Sequence, residues 1–314
     1  MKRRYGKCLL LFLFSLILLI VNAHQVQADL AAQEIDLGAW PYEANLDNQG
    51  MLWVSHSSPS EIWAINTSNG EITIYPVGGT PSDARGDGTG MLWWVDYDAN
   101  QLSRLETTTN QLDTWGIPGS SGLYTTAIDS AGKVWAMDKS NPTLYRLDPI
   151  SNQLCSYTIP DEGKGTYIEE KGENVWFGDD INDRILELDP VEENFTFWSL
   201  PGSNNPFDLV FDSEDILWFS DYSQDQIVSL DMVYDQITAY DLPPDHYAPE
   251  MVSIAKGEVW FDFEYPGGFG KIDPQIADST TTAVSQSTIS VSPNCQTLET
   301  PCQGKVKESY SSAK

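Results

Sequence analysis

The stretch Asp215–Asp231, DILWFSDYSQDQIVSLD, decides the fold because the chain repeats it. Apolar residues flank a polar turn, and Asp221 follows Trp218 by three residues. Counting this copy, six tryptophans recur at intervals of 40, 42, 41, 42 and 42 residues: Trp53, Trp93, Trp135, Trp176, Trp218 and Trp260. A period near 42 is typical of helical solenoids and of β-propeller blades.

Three further positions share the register of the tryptophans. Apolar residues stand nine positions later, at Ile62, Leu102, Leu144, Ile185, Ile227 and Phe269. Others stand twelve positions later, at Ile65, Leu105, Leu147, Leu188, Leu230 and Ile272. Aromatic residues follow at the twenty-second position in five repeats, at Tyr75, Trp115, Tyr157, Trp198 and Tyr240. We expect all of these side chains to form the core between repeats.

The local pattern favours strands over helices. Segments such as EITIY (71–75) and QITAY (236–240) alternate apolar and polar residues and are rich in β-branched and aromatic types. Turn residues interrupt them, as in GDGTG (86–90). The sequence therefore predicts an all-β propeller of six four-stranded blades. A seventh blade would have to come from the tail.

The two ends of the chain are predicted to lie outside the repeats. Residues 1–28 have a basic start, an apolar run and a VQA cleavage motif, which indicates a secretory signal peptide. Residues 29–274 form the propeller. EIDLGAWPYEA (34–44) aligns without gaps on IYPVGGTPSDA (74–84), so residues 33–37 are predicted to close the ring as the outer strand of the last blade.

Residues 275–314 are predicted to be a disordered linker and tail. Nine of the 14 residues from Ser279 to Ser292 are Ser or Thr. The spacing of Cys295 and Cys302 favours a small disulfide, and Cys155, within a repeat strand, is predicted to be a buried thiol.

The net charge of −29 excludes the basic face that nucleic-acid binding requires. Removing residues 1–28, which contain four basic and no acidic residues, makes the mature chain more negative still. We expect a secreted or cell-surface monomer with no membrane span in the mature chain. Its partners are expected to be a small molecule, a peptide or a sugar.

The phrase ILWFSDYSQDQIVSLD with QITAYDLPP resembles the repeat of the virginiamycin B lyase (streptogramin lyase) propellers over about residues 33–274. Those lyases have seven blades and open a cyclic depsipeptide by elimination, supported by Mg²⁺. The resemblance places their final catalytic Glu on Glu264. It places their two His residues on Phe207 and Glu250, so neither imidazole is present, and His246 lies nearby but out of register.

Acidic residues recur at two repeat positions: three residues after four of the six tryptophans, and ten residues before four of them. In a propeller both positions lie at the same end of a blade, so the residues are predicted to line one funnel. Asp221 and its equivalents are either turn caps, whose carboxylates accept backbone amides, or ligands of Mg²⁺ or Ca²⁺. The predicted metal ligands are Asp208, Asp221, Glu250 and Glu264. The other predicted funnel residues are Glu43, His56, Asp83, Asp96, Asp138, Asp179, Phe207 and Tyr247.

Three functions follow, in order of preference. The first is an exported ligand-binding relative of the lyases that lacks their His pair and their elimination activity. The second is a metal-dependent lyase or lactonase that cleaves a cyclic ester or depsipeptide, with Glu250, Glu264 or His246 as catalytic groups. The third is an extracellular scaffold.

Overall fold

The structure is a computed structural model that describes residues 41–47, 49–202, 205–242, 246–255, 258–264, 268–272, 279–307 and 309–311. The predicted signal peptide and the predicted strand at residues 33–37 lie outside the described residues. The chain divides into two compact units. Unit 1 contains residues 177–186 and 196–288, and unit 2 contains residues 37–176, 187–195 and 289–314.

The described residues form six sheets, which are the blades of an all-β propeller. Blade 1 consists of β1 (Pro41–Leu46), β2 (Met51–Ser57), β3 (Ser60–Asn66) and β4 (Ile72–Pro76). Blade 2 consists of β5 (Pro81–Gly86), β6 (Met91–Asp96), β7 (Gln101–Glu106) and β8 (Gln111–Gly116). Blade 3 consists of β9 (Leu123–Ile128), β10 (Val134–Asp138), β11 (Thr143–Asp148) and β12 (Gln153–Thr158).

The remaining blades follow the same order. Blade 4 consists of β13 (Gly165–Lys171), β14 (Asn174–Asp179), β15 (Arg184–Asp189) and β16 (Asn194–Ser199). Blade 5 consists of β17 (Pro206–Phe211), β18 (Leu217–Asp221), β19 (Gln226–Asp231) and β20 (Gln236–Asp241). Blade 6 has three strands among the described residues: β21 (Val252–Ala255), β22 (Glu258–Phe263) and β23 (Gly268–Ile272). A 3-10 turn, Pro160–Glu162, precedes blade 4.

The repeat residues form the core as the sequence predicts. Ile62, Leu102, Leu144, Ile185 and Ile227 are fully buried, and so are the apolar residues three positions after each of them. In unit 2 one cluster joins Trp93 and Trp115 of blade 2 to Leu147 of blade 3. Burying a side chain of this size contributes roughly 1.5–3 kcal/mol, so each periodic residue contributes substantially to the stability of the fold.

An aspartate six residues before the tryptophan joins the first hairpin to the tryptophan indole in three blades. In blade 5, Asp212 accepts the indole N–H of Trp218 at 2.9 Å and the backbone N–H groups of Glu214 and Ile216. Asp47 and Asp129 accept the indoles of Trp53 and Trp135 in the same way. The carboxylate satisfies a buried indole donor and the hairpin amides together, which links the turn to the core.

The prediction of a disordered tail is wrong for the residues that the structure describes. Residues 279–311, which we call the strap, form five short strands: β24 (Thr280–Ala283), β25 (Ser285–Ser290), β26 (Asn294–Thr297), β27 (Cys302–Lys305) and β28 (Tyr310–Ser311). They pair with β20, β16, β12, β8 and β4 respectively, so blades 5 to 1 gain a fifth strand in reverse order. The prediction of four strands per blade is wrong for these five blades.

The strap is ordered by backbone pairing and by a short apolar repeat. Val284, Val291, Leu298 and Val306 are half-buried, and each donates its backbone N–H to a carbonyl in the turn before a fourth strand. The acceptors are Asp235, Glu193, Asn152 and Asn110. The Ser and Thr residues between these positions face water. An edge strand tolerates such polar side chains because its backbone hydrogen bonds to the neighbouring strand stabilise it.

The predicted cysteine pairing is also corrected. Cys155 on β12 forms a disulfide with Cys295 on β26, and Cys302 on β27 is free and exposed. The pairing follows from the strap, because β26 lies antiparallel to β12 with Cys295 directly opposite Cys155. Within the described residues, no helix is long and apolar enough to cross a membrane.

Candidate functional site

The first strand of at least four blades contains a β-bulge at one repeated place. The register shifts between Pro41 and Glu43 in β1, between Ser82 and Arg85 in β5, and between Pro206 and Leu209 in β17. In β9 it shifts across Tyr124. A bulge re-aims the side chains next to it. The predicted funnel residues Asp83, Phe207 and Asp208 lie at these bulges.

The bulge carboxylates bind the next blade. Asp208 accepts the backbone N–H of Val252 in β21 at 2.9 Å. Asp83 is equivalent in the repeat, accepts the backbone N–H of Thr126 in β9, and also accepts the Asn45 side chain at 2.7 Å. Both carboxylates therefore have a structural role between neighbouring blades, which the sequence reading did not predict.

The aspartates three residues after the tryptophan are turn caps. Asp138 accepts the amides of Ser140 and Asn141 at 2.8 and 3.0 Å through Oδ1, and its Oδ2 accepts the Asn141 side chain. Asp179 accepts the amides of Ile181 and Asn182 and forms a buried ion pair with Arg184 at 2.9 Å. The half-buried Asp96 accepts the amides of Thr80 and Ala99. In all three residues Oδ1 accepts the backbone amides of the turn, and in Asp138 and Asp179 side chains donate to Oδ2.

Asp221 is also a turn cap, but one of its two carboxylate oxygens takes no part in the capping. Its Oδ1 accepts the amides of Asn205, Ser223 and Gln224 at 3.1–3.2 Å. Its Oδ2 is buried and has no hydrogen-bond partner among the described residues. Residue 224 is Gln where blades 3 and 4 have the asparagines that cap Oδ2. Burial raises the pKa of Asp221.

His56 does not face an open funnel. Its ring is fully buried, and its centroid lies 4.7 Å from that of Trp63 on β3. Glu43 is also buried and interacts with Tyr167, whose pKa is raised by burial and by the charge of Glu43. Tyr167 Oη lies 2.9 Å from Tyr124 Oη. In the same unit, Arg85 forms an ion pair with the buried Asp83 at 3.2 Å.

Unit 1 brings several predicted residues together in what we call the blade 5–6 rim: Phe207, Tyr222, His246, Phe263 and Glu264. Tyr222 donates its hydroxyl to Glu264 Oε2 at 2.9 Å, and its ring centroid lies 6.2 Å from that of Phe207. The His246 ring packs edge-on against Phe263 at 4.5 Å. The exposed Tyr247 lies beside His246 in the chain, and Glu264 donates its backbone N–H to the Ala248 carbonyl at 3.0 Å.

Asp262 on β22, two residues before Glu264, is a site residue that the sequence reading missed. It is buried, and its Oδ1 accepts the backbone N–H groups of Glu250 at 3.1 Å and Met251 at 2.7 Å. Burial, with the charges of Glu250 and Asp208, raises the pKa of Asp262 to about 7. The sequence contained a signal for this residue, because Asp262 of blade 6 stands at the repeat position that Ser220 occupies in blade 5.

The four predicted metal ligands do not form one site. Among the residues that the structure describes, no three His, Cys, Asp or Glu side chains are grouped closely enough to hold a metal ion. Asp208 binds Val252, Asp221 caps its own turn, and the exposed Glu264 accepts Tyr222. The donor set therefore does not fit the predicted Mg²⁺ or Ca²⁺ site.

Comparisons with known proteins give matches in structure alone. No protein-family model matches the chain, and no curated protein matches it. A streptogramin B lyase structure matches with a TM-score of 0.67 at 18% identity, over 78% of this chain and 83% of that one. The chain has a β-propeller fold similar to that of the streptogramin lyases. At this identity the likeness concerns the fold alone.

Two further matches agree with this fold. Virginiamycin B lyase from Staphylococcus aureus has a TM-score of 0.64 at 18% identity, over 75% of this chain and 85% of that one. An extracellular domain of a one component system from B. thetaiotaomicron has a TM-score of 0.57 at 13% identity, over 76% of this chain and 34% of that one. The streptogramin lyase fold thus accounts for about three quarters of the chain.

Proposed function

We propose that this chain is an exported ligand-binding propeller with the streptogramin lyase fold that does not carry out the lyase elimination. One observation carries the proposal: Phe207 and Glu250 stand where the resemblance places the two imidazoles. A phenyl ring cannot accept a proton. Loss of both imidazoles removes the lyases' means of taking up a proton at neutral pH.

The blade 5–6 rim supports a binding role. Phe207 and Tyr222 offer aromatic rings for stacking, and the exposed Glu264 carboxylate offers acceptors. Rings beside an acceptor suit a ligand that has an apolar face and O–H or N–H donors. Peptides and sugars have this chemistry, and so do cyclic depsipeptides.

The test is calorimetric titration of the purified chain with a streptogramin B depsipeptide and with neutral oligosaccharides. Phe207→Ala is expected to weaken binding about tenfold and Tyr222→Phe about fivefold, the effects of one stacking contact and one hydrogen bond. Tyr234→Phe is the matched control, because the exposed Tyr234 lies in the turn at the opposite end of blade 5. Equal affinities in all three variants would exclude the rim as the binding site.

Chromatography with fragment mass spectrometry tests the missing activity. Elimination breaks the ester C–O bond, forms a C=C bond and leaves a carboxylic acid, so the linear product has the mass of the substrate and differs in retention and fragmentation. We expect the ring to stay intact. Accumulation of the linear product would overturn the proposal, and finding the untagged chain only in the cytoplasm would overturn its export.

A second function has one observation in its favour. A carboxyl group with a pKa near 7 is suited to general acid or base catalysis at neutral pH, and Asp262, which accepts the backbone N–H of Glu250, has such a pKa. An enzyme would then use carboxylates in place of imidazoles. In that case Asp262→Asn and Glu250→Gln would each abolish turnover of a cyclic ester. Turnover that survives both substitutions would exclude these roles.

A further inference from the structure

The strap is attached to unit 2 mainly through exposed edge strands. β26, β27 and β28 pair with β12, β8 and β4, and every residue of these three strap strands is exposed. Leu298 and Val306 are the strap residues that pack on the cores of this unit. Segments with few buried contacts open at low free-energy cost. The disulfide between Cys155 and Cys295 adds a covalent link between the strap and β12 to this backbone pairing.

A third cysteine lies on the same strap. Cys302 is a free, exposed thiol on β27, seven residues after Cys295, and it pairs with Thr114 of β8 on a different sheet from Cys295. When strands β26 and β27 separate from their blades, the segment CQTLETPC (295–302) is short enough for its two ends to meet at a small entropic cost. The three cysteines thus allow two disulfides that exclude each other.

We propose that Cys155, Cys295 and Cys302 form a thiol-exchange latch that releases the strap. The thiolate of Cys302 attacks Sγ of Cys295, an S–S bond forms between residues 295 and 302, and Cys155 leaves as a thiolate that takes up a proton. One disulfide and one thiol are present before and after the step, so the exchange needs no external oxidant or reductant. The product keeps one disulfide but no longer ties β26 to β12.

Release changes both the edge and the core of unit 2. The outer edges of β4, β8 and β12 lose their partner strands, and Leu298 and Val306 leave the clusters against which they pack. Unpaired strand edges are sites where another chain can add a strand. The latch therefore controls whether these edges are covered.

The experiment maps disulfides in the purified full chain by alkylation, proteolysis and mass spectrometry, before and after incubation at mildly alkaline pH. The wild type is expected to convert from the 155–295 disulfide to the 295–302 disulfide, with Cys155 becoming alkylated. Cys302→Ser should keep the 155–295 disulfide under the same conditions. Hydrogen exchange of residues 294–307 is expected to become at least about tenfold faster as the exchange proceeds, because a long-range crosslink is lost.

Cys155→Ser provides the second readout, since it leaves Cys295 and Cys302 to pair with each other. Its strap amides should exchange as fast as those of the converted wild type. If the variant fails to fold, the wild type treated with a phosphine reductant gives the same comparison. Strap protection that survives loss of the 155–295 disulfide would overturn the latch, and so would a wild type that never forms the 295–302 disulfide.

Discussion

The carboxylate of Asp262 accepts the backbone N–H of Glu250 at 3.1 Å. This buried acid on β22 therefore binds the segment that leads into β21, the first strand of blade 6. Because burial raises the pKa of Asp262 to about 7, the folded state favours the protonated form. The protonated carboxyl group stabilises the folded state fully at pH values below its ordinary pKa of 3.8. This stabilisation is lost as the pH rises through about 7. Over about three pH units this amounts to roughly 4 kcal/mol at most.

Asp262→Asn should therefore flatten the dependence of stability on pH between 4 and 8. Urea unfolding midpoints at several pH values measure the effect. Asp241→Asn is the control, because Asp241 is exposed at the end of β20. A wild-type profile that keeps its slope in the Asp262→Asn variant would show that another group is responsible.

Asp179 and Asp221 should respond in opposite ways to replacement by Asn. Asp179→Asn removes the charge that pairs with the buried Arg184 at 2.9 Å, and a loss of about 3 kcal/mol is expected. Asp221→Asn removes a buried charge with one unpartnered oxygen, so we expect the free energy of unfolding to stay within about 1 kcal/mol of the wild type or to rise. Similar large losses in both variants would contradict this distinction.

The hairpin caps are expected to be structural. Asp212→Ala removes the acceptor of the Trp218 indole and of two backbone amides, and should lower the free energy of unfolding by about 1–3 kcal/mol. Glu214→Ala changes an exposed residue of the same hairpin and should cost less than about 0.5 kcal/mol. Chemical denaturation of both variants decides between a cap and an ordinary turn residue.

The apolar repeat of the strap should be measurable by hydrogen exchange. Leu298→Ser removes a side chain that packs on the core of blades 2 and 3, and the amides of residues 294–305 are expected to exchange faster. Gln296→Ser changes an exposed residue of β26, two positions before Leu298, and is the control. Unchanged protection in Leu298→Ser would show that backbone pairing alone holds the strap.

The periodic residues allowed a correct prediction of the six sheets and their core. A side chain repeated every 42 residues meets the same environment in each blade, so one pattern predicts many contacts, as at Ile62 and Ile227. The strap was missed because its stability lies in backbone hydrogen bonds, which leave little trace in composition. Its only side-chain signal was an apolar residue at every seventh or eighth position, from Val284 to Val306.

The sequence by itself determined the strand pattern, the number of repeats and the absence of the two imidazoles at residues 207 and 250. These follow from residue type and spacing along the chain. Only the tertiary structure decided how the carboxylates are used, because an acid caps a turn, joins two blades or faces a ligand according to which amides lie within hydrogen-bonding distance of it. It also decided the partner of Cys155, since the strap brings Cys295 opposite it across 140 residues of sequence.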